Sequence, residues 1–265
     1  MLKLYRSIKN MSTYQQVLPV QALMHIIFLW GIFTYWNVSY LLMGLAISWC
    51  LYWIGGSISL HRWICHRAFE PRNRLVKWFL LWIGIQCTLG SIPGFAGAHR
   101  QHHAYSDTDR DPFVLKQSWW HNVKLWFYHF PKMKISPKMI VDLMRDPDIK
   151  ISYTHYWKIW AIYPAVVLAF GGIEAFVYFV ALPVVWMVLG MSYVTVVAHS
   201  TLWRKLFRSK RRMDGDWSWD SQFFSVLFAG EGFHGCHHED PSKADYTEMA
   251  GKFDVSGWLI RYLKA

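Results

Sequence analysis

Histidines are the residues of this chain whose spacing most directly predicts chemistry. Eight of the 13 histidines lie in three short strings, HRWICH, HRQHH and HGCHH. These eight are His61, His66, His99, His102, His103, His234, His237 and His238. On an α-helix, positions i, i+3 and i+4 lie within an arc of about 100°, so each HxxHH string is predicted to direct three imidazoles toward one point. Clustered imidazoles of this kind indicate a metal site.

The first string has a wider spacing than the other two. Its histidines, His61 and His66, stand at i and i+5 and diverge by about 140° on an α-helix, at about 100° per residue. This spacing suits either two metal ions side by side or a position at a helix end. His199 is a ninth candidate, because it follows an apolar segment that ends on the same side as the strings. The remaining histidines are isolated and are interpreted as hydrogen-bonded or interfacial side chains: His25, His121, His129 and His155.

The number of imidazoles predicts more than one metal ion. Eight or nine of them exceed what a single ion accepts, so the prediction is a dinuclear site of first-row transition metal, with zinc, copper, iron and nickel all permitted by ligand softness. The common zinc signatures HExxH and CxxC are absent from the sequence. Soluble di-iron carboxylate bundles need two ExxH motifs, and only Glu231 to His234 fits. An all-histidine site is therefore favoured.

Carboxylates beside the strings have two interpretations. Such groups fix the tautomer of a metal-bound imidazole by accepting its second N–H. Equally, they cap helices or lie in solvated loops. The residues in question are Asp107, Asp109, Asp111, Glu231 and Asp240.

Composition indicates a membrane protein. The chain is 54% hydrophobic and 18% aromatic, and its formal net charge of +11 would also suit a nucleic-acid-binding protein. However, residues 10–61 contain no Lys, Arg, Asp or Glu, and residues 159–203 contain only Glu174. No nucleic-acid module is recognisable, so we interpret the charge as headgroup attraction and membrane topology, with no nucleic-acid partner.

The two charge-free stretches predict four membrane spans. A crossing needs about 20 apolar residues, so each stretch accommodates two helices joined by a short turn. We place the spans at residues 18–35, 39–60, 156–171 and 175–198. The fold class is then an all-α integral membrane protein, with four transmembrane helices in two hairpins and a cytosolic helical cap. Residues 1–265 are expected to form a single domain.

Charge also predicts orientation. With these spans, both termini and every Lys and Arg lie on one side, which the positive-inside rule makes cytosolic. Residues 75–92 are apolar but short, and are expected to form a re-entrant or interfacial helix. Residues 118–158 are expected to be an interfacial helix and loop, and residues 204–217 a basic loop.

Two expectations concern processing and redox state. The first apolar run begins well inside the chain and has no cleavage site, so it is interpreted as a retained span. The cysteines lie in predicted spans or on the cytosolic side, where thiols stay reduced, so no disulfide is expected: Cys50, Cys65, Cys87 and Cys236.

The strings and their flanks resemble the membrane fatty acid desaturases, specifically the Δ9 acyl-CoA and acyl-lipid enzymes that include stearoyl-CoA desaturases. The resemblance rests on HRWICHRAF, HRQHHAYSDTDRDP and GEGFHGCHHEDP and covers roughly residues 40–258. It implies a four-span fold with two irons held by nine histidines, the eight above and His199. It also implies a reaction in which O2 and a pair of electrons remove two hydrogens from a methylene pair, leaving a cis double bond and water.

The sequence departs from the family pattern in three places, one of which is a pair of residues. Thr195 stands where many members carry an Asn that contacts a metal-bound water, and a hydroxyl is expected to serve there. Gly97 and Ala98 replace an Arg-Asp pair of animal acyl-CoA enzymes, which favours a lipid-bound acyl chain over a CoA thioester. Gly235 replaces a frequent Asn in the third string.

Alternative functions and partners remain open. A related membrane hydroxylase or ketolase acting on an alkane, carotenoid or sterol is one alternative, and a metal-transport protein is another, although the spans carry almost no charge. No haem or flavin motif is present, so electrons are expected from a ferredoxin or a cytochrome b5. The basic residues 208–212 would attract such a carrier or, equally, lipid headgroups.

Overall fold

A computed structural model of the chain describes residues 13–113, 135–210 and 212–265. Over these residues the chain is helical, with two isolated β-bridges as its only extended pairing. The predicted all-α class is therefore confirmed for them. Part of the predicted interfacial segment 118–158 lies outside the described residues, and so does the basic amino-terminal run.

Three apolar helical stretches are long enough to cross a membrane by length and composition: Val17–Thr34, Val38–Cys65 and Tyr156–Val197. Large apolar side chains project from them into the surroundings, for example Phe33 and Phe170, which are 87% and 90% exposed. Such exposure is expected where a helix faces lipid. The first two stretches match the predicted spans 18–35 and 39–60, whereas the third joins two predicted spans.

The third stretch is interrupted near its middle. It has 42 residues and would be about 63 Å long if straight, twice the hydrocarbon core of about 30 Å. Gly172 has φ 68° and ψ −168°, a conformation that breaks the helix and that glycine adopts readily. Across this break the hydroxyl of Tyr163 donates to the carbonyl of Phe179 at 2.8 Å. The two halves therefore lie side by side.

The helices are named here in chain order. α1 is Thr13–Thr34, α2 Val38–Leu51, α3 Arg74–Gln86, α4 Ile92–Tyr105, α5 Val141–Arg145, α6 Pro147–Thr154, α7 Tyr156–Phe176, α8 Leu182–Ser192, α9 Thr201–Leu206, α10 Gln222–Leu227, α11 His234–Glu239, α12 Thr247–Ala250 and α13 Val255–Leu263. A 3₁₀ turn covers Pro137–Ile140, and π-helical segments cover Tyr52–Cys65, Val177–Ala181 and Tyr193–Val197.

One polar contact joins the two interhelical turns. Asn37 caps α2, since its side-chain oxygen accepts from the N–H of Tyr40 at 3.1 Å. Its amide nitrogen donates to Glu174 at 2.9 Å, and Glu174 is the one acidic residue of the 159–203 stretch. The turn after α1 and the break in α7 consequently lie at the same end of the helix bundle.

The first histidine string lies inside a helix. α2 continues as the π-helical segment Tyr52–Cys65, so this helix runs past residue 60, where the sequence predicted its end. A π-helix bonds residue i+5 back to residue i, as His66 N–H does to the carbonyl of His61 at 3.3 Å. His66 is the residue that caps the segment. The wide spacing of this string is thus explained by a helix end.

α3 packs against this segment and is shorter than a helix that crosses a membrane. Its 13 residues measure about 20 Å, short of the hydrocarbon core of about 30 Å. Turns at Thr88 and Gly90, both with positive φ, then reverse the chain into α4. The re-entrant or interfacial placement of residues 75–92 stays a prediction.

Gly55 and Gly56 offer a matched test of this packing. A Cβ on Gly55 would lie 2.5 Å from Sγ of Cys87 and 2.8 Å from the carbonyl oxygen of Ile83, whereas one on Gly56 would meet Met187 at an ordinary 3.5 Å. We expect Gly55→Ala to lower the free energy of unfolding by about 1–3 kcal/mol through overpacking. Gly56→Ala should change it little. Thermal unfolding in detergent measures both, and equal midpoints would contradict the proposed packing.

Candidate metal centre

Four parts of the fold deliver the nine histidines. The first string ends the π-helical segment Tyr52–Cys65, the second lies on α4, and the third forms most of α11. His199 follows the π-helical segment Tyr193–Val197. All nine side chains meet in one region, in two groups.

The larger group contains five imidazoles: His61, His66, His99, His103 and His237. Their facing nitrogens all lie within 4.8 Å of one another. Nε2 of His237 lies 2.9 Å from Nε2 of His61 and 2.7 Å from Nε2 of His103. Opposite ligands of a first-row ion at about 2.1 Å are about 4.2 Å apart, and ligands at right angles are about 3.0 Å apart. The spacing of the group is close to that of one coordination sphere.

The smaller group contains four imidazoles: His102, His199, His234 and His238. Nε2 of His102 lies 3.3 Å from Nε2 of His238, and Nε2 of His199 lies 3.0 Å from Nε2 of His234. All four side chains are buried. This group offers one imidazole fewer than the larger one.

Each HxxHH string divides between the two groups, so the prediction that it directs three imidazoles toward one point was wrong. On α4, His99 and His103 face the larger group and His102 faces the smaller one; on α11, His234 and His238 face the smaller group and His237 the larger. The physical reason is helical geometry. Residues i and i+4 differ by about 40° around the axis, whereas i+3 lies about 60° to the other side.

Three of the five flanking carboxylates contact imidazoles. Nδ1 of His102 lies 2.8 Å from Asp111, and Nδ1 of His199 lies 3.1 Å from Asp107. Nδ1 of His61 lies 2.7 Å from Glu231, although the ring is poorly aligned for a directed hydrogen bond.

The other two flanking carboxylates do not hold a histidine in the described structure. Asp109 is exposed. Asp240 accepts hydrogen bonds from the N–H and the hydroxyl of Ser242, which makes it a turn residue. The alternative interpretation, a solvated loop or cap, therefore applies to this pair.

Two partners of the imidazoles were missed by sequence reasoning. Asp216 lies 2.7 Å from Nδ1 of His238, and the hydroxyl of Tyr246 lies 2.9 Å from Nδ1 of His237. Asp216 stands in the segment predicted as a basic loop, 22 residues before its partner. The only available signal was an acidic residue inside a basic run.

These contacts place lone pairs face to face. An ionised carboxylate only accepts hydrogen bonds, so Asp111 and Asp216 place the ring protons of His102 and His238 on Nδ1. When both rings are neutral, each Nε2 then presents a lone pair to the other at 3.3 Å with no proton between them. A shared cation converts this repulsion into attraction, so the donor set fits a bound metal ion.

Most of the imidazoles are held in the neutral form that binds metal. Burial, followed by the neighbouring histidines, lowers the pKa of the following residues well below the usual value: His66, His99, His103, His234, His237 and His238. His199 differs, because its hydrogen bond to Asp107 overcomes burial and raises its pKa. Burial opposes ionisation of Asp107, yet the same hydrogen bond lowers the pKa of that carboxyl.

Arg100 fixes the first two strings to each other. It follows His99 on α4, and its guanidinium donates to the carbonyls of Cys65 and Ile64 at 2.6 and 3.0 Å. Asp142 on α5 accepts two further bonds from it, at 2.7 and 3.0 Å. The last carbonyls of the π-helical segment are thereby satisfied by a side chain from the second string.

The residues at the three departures from the family pattern are all buried. The hydroxyl of Thr195 donates to the carbonyl of Met191 at 2.8 Å, on its own helix. A Cβ on Gly97 would lie 2.5 Å from a methyl carbon of Ile135, so this position has no room for a longer side chain. A Cβ on Gly235 would come within 3.1 Å of Asp220.

A narrow cavity leads to the histidines. Its apolar walls come from the segment that begins at Tyr52, from the turn before α4 and from the end of α8. Its lining residues are Tyr52, Gly56, His61, Leu89, Phe95, His99, Met191, Val194 and Glu231. The cavity borders the larger group, and its free volume of about 20 Å³ is room for about one water molecule.

The chain is similar to known proteins over most of its length. Residues 36–247 match the family described as fatty acid desaturase. The sn-1 stearoyl-lipid 9-desaturase of Anabaena variabilis is 28% identical over 233 residues, which cover 86% of this chain and 82% of that protein. The sn-2 palmitoyl-lipid 9-desaturase of a Nostoc species is 28% identical, covering 86% and 80%. An acyl-CoA 5-desaturase of Anemone leveillei is 24% identical, covering 95% and 79%.

The matched region includes all three histidine strings and His199. It also spans the segments that form the cavity and all four carboxylates that contact the imidazoles. The family match, which covers more than half of the chain, and the convergence of its histidines agree: the chain belongs to the fatty acid desaturase family.

Proposed function

We propose that the chain uses two iron ions and O2 to introduce a cis double bond at position 9 of a saturated acyl chain carried by a membrane lipid. Family membership gives the reaction class, which is oxidative desaturation of a fatty acyl chain. The metal, the bond position and the carrier are the proposal. The observation that carries it is the convergence of two groups of imidazoles, the larger of which borders an apolar cavity.

The nine histidines are the proposed ligands. His61, His66, His99, His103 and His237 would hold one ion, and His102, His199, His234 and His238 the other. Bound iron would activate O2, the oxidant, which takes two electrons from the donor and two hydrogens from an unactivated methylene pair and ends as water. Thr195 is proposed to reach the smaller group through water, with its oxygen as acceptor, since its proton is donated to Met191.

The protein's own residues bind, orient and exclude water. The carboxylates of Asp107, Asp111 and Asp216 keep protons on Nδ1 of their histidines and leave Nε2 free. The apolar lining of the cavity would contact the acyl chain once its side chains move apart to admit it, and would then keep water from the site. Glu231 lines the cavity and lies beside His61, where it steadies that ring at the substrate side.

The packing of Gly97 and Ala98 supports a lipid carrier. This pair stands where animal acyl-CoA enzymes have Arg-Asp, and both residues are buried. The side chains of Ile135 and Ile140 pack directly against Gly97. A CoA group would therefore find neither a charged partner nor room to bind at this position. The two 9-desaturases named above are described as acting on lipid-bound chains.

We propose four membrane spans, with both termini and the histidines on the cytosolic side. The break at Gly172 and the contact of Tyr163 with Phe179 support two crossings within the third stretch. The contact of Asn37 with Glu174 supports two hairpin turns at the opposite face. The chain would then be a multi-pass integral membrane protein.

A separate ferredoxin or cytochrome b5 is the proposed electron donor.

The helix α9 is proposed to contact lipid. Its side chains Leu202 and Leu206 are 73% and 68% exposed and interleave with Arg204 and Lys205. Apolar and basic side chains mixed in this way favour lipid headgroups as the partner of this helix. Arg212 is engaged by Asp220 and Glu239. Residue 211 lies outside the described residues.

Product analysis tests the reaction. The wild-type chain, expressed with an electron donor in cells that lack unsaturated lipids, should produce cis monoenes with the double bond at position 9. His103→Ala should abolish them, because the larger group loses a ligand. Hydroxylated lipids would instead favour a hydroxylase. Purified protein should contain two irons, one for each histidine group, and a lone zinc would favour metal transport.

Tyr52 is expected to set the depth of the cavity. It lies nine residues before His61, no more than about 13.5 Å along the helix, and its ring covers Gly190, where a Cβ would lie 2.0 Å from a ring carbon. Tyr52→Ala should deepen the cavity and shift the products toward longer acyl chains. Tyr153→Ala, a change on the partly exposed α6, serves as the control. Unchanged product lengths in Tyr52→Ala would refute this role.

Acidification should destabilise the metal-free protein. Six histidines have folded-state pKa values below the unfolded value of about 6.5, so the unfolded chain takes up protons first as the pH falls. Their stabilising contribution is present above about pH 6.5 and is lost as the pH falls toward their folded values. His199, with a raised pKa, acts in the opposite direction. We expect the thermal midpoint to drop between pH 7 and 5, and a constant or rising midpoint would contradict this.

A further inference from the structure

We infer that Tyr246 is a positioning residue for His237, and that the carboxy-terminal segment from residue 244 to residue 263 thereby supports the larger histidine group. This inference rests on the ligand role proposed for His237. Tyr246 is 1% exposed, and its hydroxyl lies 2.9 Å from Nδ1 of His237. Nε2 of the same ring faces His61 and His103. A metal-bound Nε2 leaves the proton on Nδ1, so the ring donates and the phenol oxygen accepts.

His237 has a phenol as its Nδ1 partner, whereas the other imidazoles with a described Nδ1 partner have a carboxylate. His61, His102, His199 and His238 lie beside carboxylates. A neutral phenol adds less basicity to a ring than a charged carboxylate does, because its oxygen carries no full negative charge. What Tyr246 supplies is therefore mainly direction. Direction is useful only if the phenol is itself held in place.

A buried ion pair holds the phenol. Arg62 and Asp254 are both 0% exposed, and Asp254 accepts two bonds from the guanidinium, at 2.5 and 3.2 Å. Asp254 also accepts from the backbone N–H of Tyr246 at 3.0 Å. The guanidinium carbon of Arg62 lies 4.4 Å from the centre of the Tyr246 ring. The ring is thus fixed through its backbone by Asp254 and through its face by Arg62.

The same ion pair adjoins the first string. Arg62 follows His61 directly, and Gly230, with φ 97°, passes so close that a Cβ there would lie 2.5 Å from Asp254 and 2.7 Å from Arg62. Glu231, the next residue, contacts His61. The network therefore reaches two imidazoles of the larger group, His61 and His237.

Backbone pairing secures the end of the segment. The N–H of Arg72 donates to the carbonyl of Leu263 at 2.8 Å, and the N–H of Ala265 donates to the carbonyl of Glu70 at 2.9 Å. These contacts bind the carboxy-terminal residues to the loop that follows the first string. In contrast, His238 in the smaller group is supported by Asp216, which precedes α10 and is not in this segment. The supports of the two groups are separable.

The test is Tyr246→Phe in the full-length protein, which retains the ring over Arg62 and removes the acceptor for His237. Outer partners of metal ligands change metal affinity by about 10–100-fold. We expect one of the two ions of Tyr246→Phe to be released to a chelator with affinity lowered by this factor, and the other to keep its wild-type affinity. Anomalous diffraction from partly depleted protein should show the loss at the larger group.

Matched variants separate the possible outcomes. Asp216→Asn should loosen the ion of the smaller group, and Tyr262→Phe, on the exposed face of α13, should loosen neither. His237→Ala should lose the ion of the larger group outright. If His237→Ala keeps both ions at wild-type affinity, the ligand assignment and this inference both fail. If His237→Ala loses one ion but Tyr246→Phe keeps both at wild-type affinity, the positioning role is overturned and the proposed function stands. The same conclusion follows if Tyr246→Phe binds both ions more weakly and also has a lower thermal midpoint.

Discussion

Neutral imidazoles that point at one another are the constraint on which the rest of this structure depends. Neighbouring nitrogens of the nine rings lie 2.7–3.3 Å apart, and without a cation their lone pairs repel. Metal binding in such a site contributes directly to the free energy of folding. Repulsion favours rotation of the imidazoles away from one another. The helix ends, Arg62, Arg100 and the carboxylates beside the imidazoles oppose that rotation. Polar and charged groups are concentrated around the histidines, while the long apolar helices remain almost free of charge.

The sequence predicted the parts of this arrangement that depend on local spacing. The histidine strings and His199 followed from spacing and neighbourhood. For the five flanking carboxylates the sequence left two interpretations open, and the structure shows Asp107, Asp111 and Glu231 beside imidazoles. Asp216 and Tyr246 were not predicted, because their positions depend on how the segments after α9 fold back over the strings. A partner that arrives from a distant loop leaves no periodic signal.

In the fold, too, some features were predictable from local sequence and others were not. Charge-free stretches located the apolar helices to within a few residues, since hydrocarbon excludes charge over a fixed thickness. The continuation of α2 as a π-helix could not be predicted, because the wider turn is a property of hydrogen bonding and not of composition. The wider turn places His61 inside the helix and His66 at its end. The two imidazoles consequently face one group, where α-helical spacing would have separated them.

The division of each HxxHH string between the groups has a consequence for how such a centre is assembled. Because α4 and α11 each contribute to both groups, neither group belongs to a separate part of the chain. Loss of either helix would therefore remove histidines from both groups at once. The separation of the two groups is likewise set by the angle between positions i+3 and i+4 of a single helical turn. The two groups are therefore joined by shared helices, and the backbone of those helices sets the spacing between them.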